Sequence, residues 1–140
     1  AAAAVRQLNA AGYIVLVVTN QSGVARGYYT EADVKAFNAH MREVLQGQGA
    51  RIDAFYYCPH QPEGPVKELA IRCDCRKPQP GMLEQAARDF PIDRGRSFLI
   101  GDREHDLAAA KAFGIRGVKF DAVAGTIEDL VRKQLAPGGT

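Results

Sequence analysis

The chain contains no tryptophan, and its five tyrosines and six phenylalanines are scattered. No aromatic platform for stacking nucleic-acid bases is therefore expected. Long hydrophobic runs are missing too: the longest, Ile14 to Val18, is far short of the roughly 20 residues that a membrane span needs. The start, Ala1 to Ala4 followed by Val5-Arg6-Gln7-Leu8, lacks the basic-then-apolar pattern of a secretory signal. Charge of one sign is scarce: 18 Lys and Arg against 16 Asp and Glu leave +2, too little to argue for nucleic acid or a membrane surface as partner. There are only three cysteines, an odd number that cannot all pair within one chain. Together these absences predict a cytoplasmic protein.

The 140 residues suit one domain with a real core. Val5 to Ala11 reads as the end of a helix, with Gly12 as its C-terminal cap. Tyr13 to Val18 is a continuous β-branched and aliphatic run that suits a strand buried on both faces, and Thr19 to Gly23 follows as a polar turn. Thr30 and Asp33 open a helix to about Gln46, with Val34, Phe37, Met41 and Leu45 on its inner face. Ile52 to Tyr57 reads as a second strand, and Cys58 to Pro80 as a long polar loop. Further on come a helix over Gly81 to Phe90, with Met82, Leu83 and Ala86 inward, and a strand over Ser97 to Ile100. A helix over Asp106 to Phe113, a strand over Gly117 to Phe120 and a helix over Thr126 to Gln134 complete the pattern. Pro137-Gly138-Gly139 reads as a frayed tail. The alternation predicts an α/β fold, an open parallel sheet with helices on both faces, with ligands beyond the carboxyl ends of the strands.

Loops as long as Cys58 to Pro80 are uncommon unless functional or stapled. Cys58 and His60 form one pair of potential metal ligands, and Cys73 and Cys75 a second. Three thiolates and an imidazole are ligands that zinc favours, and four of them close a tetrahedral site with no open position for water. The expected role is structural: the metal ties down a loop without an apolar core, and metal binding becomes local folding free energy. The alternative is three free thiols and a surface histidine.

Three other places carry polar chemistry. Thr19 and Asn20 follow a strand and offer neutral donors suited to phosphate oxygens. Lys77 follows the second cysteine pair and offers a point charge for a phosphoryl group. Asp102 ends a strand, with Asp106 one helical turn on, and such carboxylates suit a hard, oxygen-preferring ion such as magnesium. Each has a plain reading as a turn, a solvated lysine or a helix cap.

In this order the segments resemble the haloacid dehalogenase superfamily of phosphatases: Thr19-Asn20 looks like its second motif, Lys77 its third, and Gly101 to Asp106 its fourth. The stretches Val18 to Gly27, Tyr56 to His60 and Cys73 to Pro78 are similar to the D-glycero-D-manno-heptose-1,7-bisphosphate phosphatases and the related histidinol-phosphate phosphatases. The resemblance covers roughly Val5 to Val131. It implies hydrolysis of a phosphomonoester through an aspartyl-phosphate, with magnesium and structural zinc as metals and a small sugar phosphate as the ligand; separately, the chain is expected to act as a monomer. It also implies that Thr19 and Lys77 hold the transferring group and are catalytic. Asn20, Gln21, Ser22, Arg76 and Arg103 would join them in contacting substrate. Asp102 would ligate magnesium, and Asp106 would support the site from behind.

One part of the pattern is not found. The family's nucleophile lies in an Asp-x-Asp segment after a first, central strand, before the helix that here ends near Gly12. Only Ala1 to Ala4 precede Val5 in the sequence. The expectation is an N-terminally incomplete phosphatase domain over residues 1–140, with a zinc loop over 58–80 and its central strand missing. Histidinol-phosphate hydrolysis and a phosphate-binding zinc domain without turnover stand as alternatives. Replacing Lys77 by alanine is expected to lower turnover with little harm to the fold.

Overall fold

The helix starts follow from capping chemistry. Thr30 Oγ1 accepts the Asp33 N–H at 3.1 Å, and Asp33 Oδ2 accepts the Thr30 N–H at 2.9 Å, a reciprocal pair that satisfies two donors at the helix start. The computed structural model describes residues 2–61, 64–70, 72–73, 75–121 and 126–135. Asp74 and the tail Pro137-Gly138-Gly139, expected to fray, lie outside these residues.

In chain order the elements are α1 (Ala2–Ala10), β1 (Leu16–Asn20), α2 (Ser22–Ala25), α3 (Glu31–Gly47) and β2 (Ala54–Cys58), then a 3-10 turn (Lys67–Leu69). They continue with α4 (Gly81–Asp89), β3 (Phe98–Gly101), α5 (Glu104–Phe113), β4 (Arg116–Lys119) and α6 (Ile127–Leu135). β1 pairs with β2, and β3 with β4. Among the described residues the two ladders share no strand.

The chain divides into two compact units, residues 1–17, 36–55 and 120–140, and residues 18–35 and 56–119. In the first, α1 packs on α6, and Ala4 and Val131 are the buried residues of these two helices. Asn9 fastens α1 to the segment after α3: its amide nitrogen donates to Arg51 O at 3.1 Å, and its oxygen accepts the Arg51 N–H at 2.8 Å. In the second unit, β3 and β4 run parallel, with Phe98 opposite Arg116 and Gly101 opposite Lys119. Helix α5 connects them and buries Ala109, Ala110 and Phe113. It ends at Gly114, whose φ of 94° is the left-handed conformation that glycine adopts without strain.

Two expectations are corrected. The strand expected over Tyr13 to Val18 and buried on both faces is instead Leu16–Asn20, half-buried throughout. Before it, Val15 is held locally: its N–H donates to Asp53 Oδ2 at 2.8 Å and its carbonyl accepts the Asp53 N–H at 2.8 Å. After it, the Gln21 N–H donates to Cys58 O at 2.7 Å, which extends pairing through Thr19 and Asn20. The expected turn is therefore strand followed by the short α2. The second correction is Phe37, placed on the inner face of α3 but 59% exposed. Val34 and Asn38 are buried and Met41 and Leu45 half-buried, and at about 100° per residue Phe37 falls to one side of that stripe.

Strand β2 is fixed by its tyrosines. Tyr56 OH donates to Asp89 Oδ2 at 2.6 Å, and Tyr57 OH donates to Glu31 Oε1 at 2.8 Å. Burial first, and then the carboxylate partner, push both phenols up to about 12. Both ionise more readily once unfolded, so their stabilising contribution is whole below the ordinary tyrosine value of 10.0 and is lost as pH rises toward about 12. An alkaline titration followed by tyrosinate absorbance should show two tyrosines in this late window, and Tyr56→Phe should remove one.

Candidate active site and metal centre

Cys58 ends β2 and is fully buried. Around it gather His60, two residues on, and Cys73 and Cys75 from the far side of the loop. Cys58 Sγ lies 3.6 Å from His60 Nδ1 and 3.3 Å from Cys73 Sγ. Cys75 Sγ lies 3.3 Å from both His60 Nδ1 and Cys73 Sγ. The sulfurs of Cys58 and Cys75 are themselves in contact, as in a disulfide pair. All four ligand atoms lie within 4.8 Å of one another. A metal–sulfur distance of about 2.3 Å gives tetrahedral edges of about 3.5–3.8 Å, and apart from the Cys58–Cys75 contact these separations of 3.3–3.6 Å lie close to that. A disulfide would employ two of the four and leave His60 and Cys73 without a purpose. Three sulfurs and one nitrogen fit zinc.

The loop that this cluster closes delivers Lys77, which Asn20 grips. The Lys77 N–H donates to Asn20 Oδ1 at 2.9 Å, and Asn20 Nδ2 donates to Lys77 O at 3.3 Å. Asn20 thus uses both ends of its amide on the lysine's backbone, as Asn9 does with Arg51. The Lys77 ammonium donates to Val18 O at 3.3 Å and lies 2.5 Å from Asp106 Oδ1. The side chains of this ion pair are only 12% and 8% exposed. Asp106 Oδ2 accepts the Arg103 N–H at 3.3 Å and so caps α5. Burial pushes the Asp106 carboxyl up, but the Lys77 ammonium, the Arg103 N–H and His105 outweigh it and hold the group below the ordinary carboxylate range. Gly101 permits this approach: a Cβ there would fall inside the Asp106 side chain.

The structure brings Asn20, Lys77 and Asp106 into direct contact from three separated segments. Asp102 is exposed at the carboxyl end of β3, and Arg103 is exposed beside it at the start of α5. An exposed carboxylate at a strand end is the kind of oxygen donor that magnesium takes, whereas the second carboxylate, Asp106, is committed to Lys77 and to the Arg103 N–H. Thr19 is half-buried at the end of β1, with its hydroxyl 3.3 Å from Asn20 O. Ser22 begins α2, and Arg76 is half-buried between Cys75 and Lys77. Gln21 is held by a residue that the sequence did not single out: Tyr29 OH donates to its Oε1 at 2.6 Å. A side chain at Gly23 would collide with that tyrosine ring, and no sequence signal links the two.

A model of the HAD-hydrolase-like family matches residues 74–133. The D-glycero-beta-D-manno-heptose-1,7-bisphosphate 7-phosphatase of Rhodopseudomonas palustris is 52% identical over 120 residues, covering 86% of this chain and 67% of the relative. The chain belongs to the haloacid dehalogenase-like phosphatase family. The protein of the same name from Pasteurella multocida is 41% identical over 131 residues, covering 94% of this chain and 71% of the relative. Among solved structures, the D,D-heptose 1,7-bisphosphate phosphatase of B. bronchiseptica, complexed with magnesium and phosphate, matches with a TM-score of 0.74 at 32% identity. That match covers 99% of this chain and 73% of the other. The chain spans from 59% to 71% of the length of the curated relatives it matches. As a haloacid dehalogenase-like chain it has the α/β fold expected from its sequence pattern. Among the described residues, no helix is long and apolar enough to cross a membrane.

Proposed function

We propose that this chain is the phosphate-gripping and metal-ligating part of a phosphatase that removes one phosphate from a sugar bisphosphate, D-glycero-D-manno-heptose 1,7-bisphosphate. The reading rests above all on the buried Lys77–Asp106 pair, gripped by Asn20 at the end of β1 and carried by the metal-closed loop. That arrangement presents one cation at the carboxyl ends of β1 and β3, where an open α/β sheet receives its ligand. The name of the relatives and the phosphate and magnesium of the B. bronchiseptica structure agree with it.

In this reading residues 1–140 belong to one phosphatase domain that acts as a monomer. Thr19 and Lys77 hold the transferring phosphoryl group through a hydroxyl and a fixed charge. Ser22, Gln21, Arg76 and Arg103 contact the rest of the substrate. Asn20 holds the Lys77 backbone with one N–H and one lone pair of its amide, and its second N–H remains for a substrate oxygen. Asp102 would help to hold magnesium, which supplies charge stabilisation when bound, and Asp106 orients Lys77. The zinc cluster is structural. The attacking carboxylate comes from outside these residues.

Steady-state assays of the full-length protein with magnesium test this reading. Heptose 1,7-bisphosphate should be turned over faster than histidinol phosphate. The reverse order would assign the site to histidinol phosphate, and turnover of neither would make it a binding domain.

A further inference from the structure

Next to Lys77 is a cavity of about 420 Å³ whose lining includes Arg72, Arg76, Lys77, Gln79 and His105. Its size falls within the roughly 300–1,000 Å³ of small-molecule sites. Among the described residues no carboxylate lines it. The Lys77 charge is matched by Asp106, whereas neither Arg72 nor Arg76 is paired with a carboxylate of the described residues. Two guanidinium groups with no carboxylate partner among the described residues, around one concavity, favour anions, and guanidinium is the side chain best shaped for two-point contact with phosphate.

Two features make this a built site rather than a solvated basic surface. Arg72 immediately precedes Cys73, so its exposed side chain stands on backbone anchored by the metal cluster. His105 Nε2 lies 3.8 Å from Asp106 Oδ1, the oxygen that pairs with Lys77. One buried carboxylate therefore stands beside both the histidine wall of the cavity and the phosphoryl grip. We infer that Arg72 and His105 form a subsite for a second anion of the substrate, the phosphate that is not transferred, with Gln79 available to sugar hydroxyls. This inference rests on the phosphatase reading above and adds to it the residues that choose a bisphosphate over a monophosphate.

Calorimetric binding to the zinc-loaded full-length protein with magnesium tests it with two probes. Orthophosphate reports the Lys77 grip, and heptose 1-phosphate, the product that retains the second phosphate, reports the subsite. Arg72→Ala and His105→Ala should each weaken heptose 1-phosphate by about tenfold or more, the scale of a lost charge-assisted contact. The loss should be several times greater than any loss for orthophosphate, and Arg72→Lys should recover part of it. Arg72 is exposed, so an unchanged melting temperature serves as the control for folding. Equal losses on both probes, or none, would overturn the subsite alone. Failure of the parent to bind orthophosphate would overturn the phosphatase reading together with it.

Discussion

Lys77→Ala lowers both turnover and stability, and the two losses separate with pH. In the full-length protein the variant is expected to lose about 10²–10³ in kcat, the usual cost of removing one donor from a developing negative charge. The stability loss is the part that the sequence did not predict. Lys77 neutralises a carboxylate that is nearly buried. Removing one member of such a pair costs about 3–5 kcal/mol, which lowers the melting temperature by on the order of 10 °C in a domain of this size. The Asp106 carboxyl is held below its usual value of 3.8. Its contribution is therefore present above that value and is lost as pH falls through the lower, folded one. Melting curves of parent and variant should converge on acidification below about pH 4. Adding Asp106→Asn to Lys77→Ala should recover stability without recovering turnover. A variant as stable as the parent at neutral pH would show that the pair does not hold the site together.

Loss of the metal is the second large effect. The protein should contain one zinc per chain and release three thiols on denaturation with chelator; a disulfide between Cys58 and Cys75 would leave one. Cys73→Ser should lose zinc, open the 58–80 loop to protease and weaken orthophosphate binding at least about tenfold, since structural zinc supplies local folding free energy on the order of 10 kcal/mol. Lys77 is chemically untouched in that variant. Zinc loss with unchanged phosphate affinity would contradict the coupling between cluster and grip.

The contrast between these two variants marks what could be read from the sequence. The four metal ligands were legible because they come in pairs within a segment that has no other reason to be ordered. The residues proposed to hold phosphate stood out as types at strand ends, and the strand–helix alternation pointed to the α/β class. Partnerships were not legible. Lys77 and Asp106 lie on different segments, and only the fold makes one the counter-ion of the other. Asn20 offers donors and an acceptor in sequence, yet the structure commits one of each to the Lys77 backbone. Tyr29 carries no pattern that points to Gln21. Strand β1 was displaced because the apolar run before it is held by Asp53, a side chain that local periodicity cannot foresee.

Arg76 lies between two fixed points. On one side Cys75 is held in the ligand cluster, and on the other the Lys77 peptide is clamped by Asn20. A single residue between two anchors has almost no backbone freedom left to lose. Ordering one residue's backbone costs about 1–2 kcal/mol of conformational entropy, and at Arg76 that cost falls on folding rather than on ligand binding. In the proposed function its guanidinium would meet an anion with only side-chain rotamers left to settle. Glycine at position 77 would preserve both backbone contacts with Asn20 and so preserve this economy of motion, even with the ammonium gone.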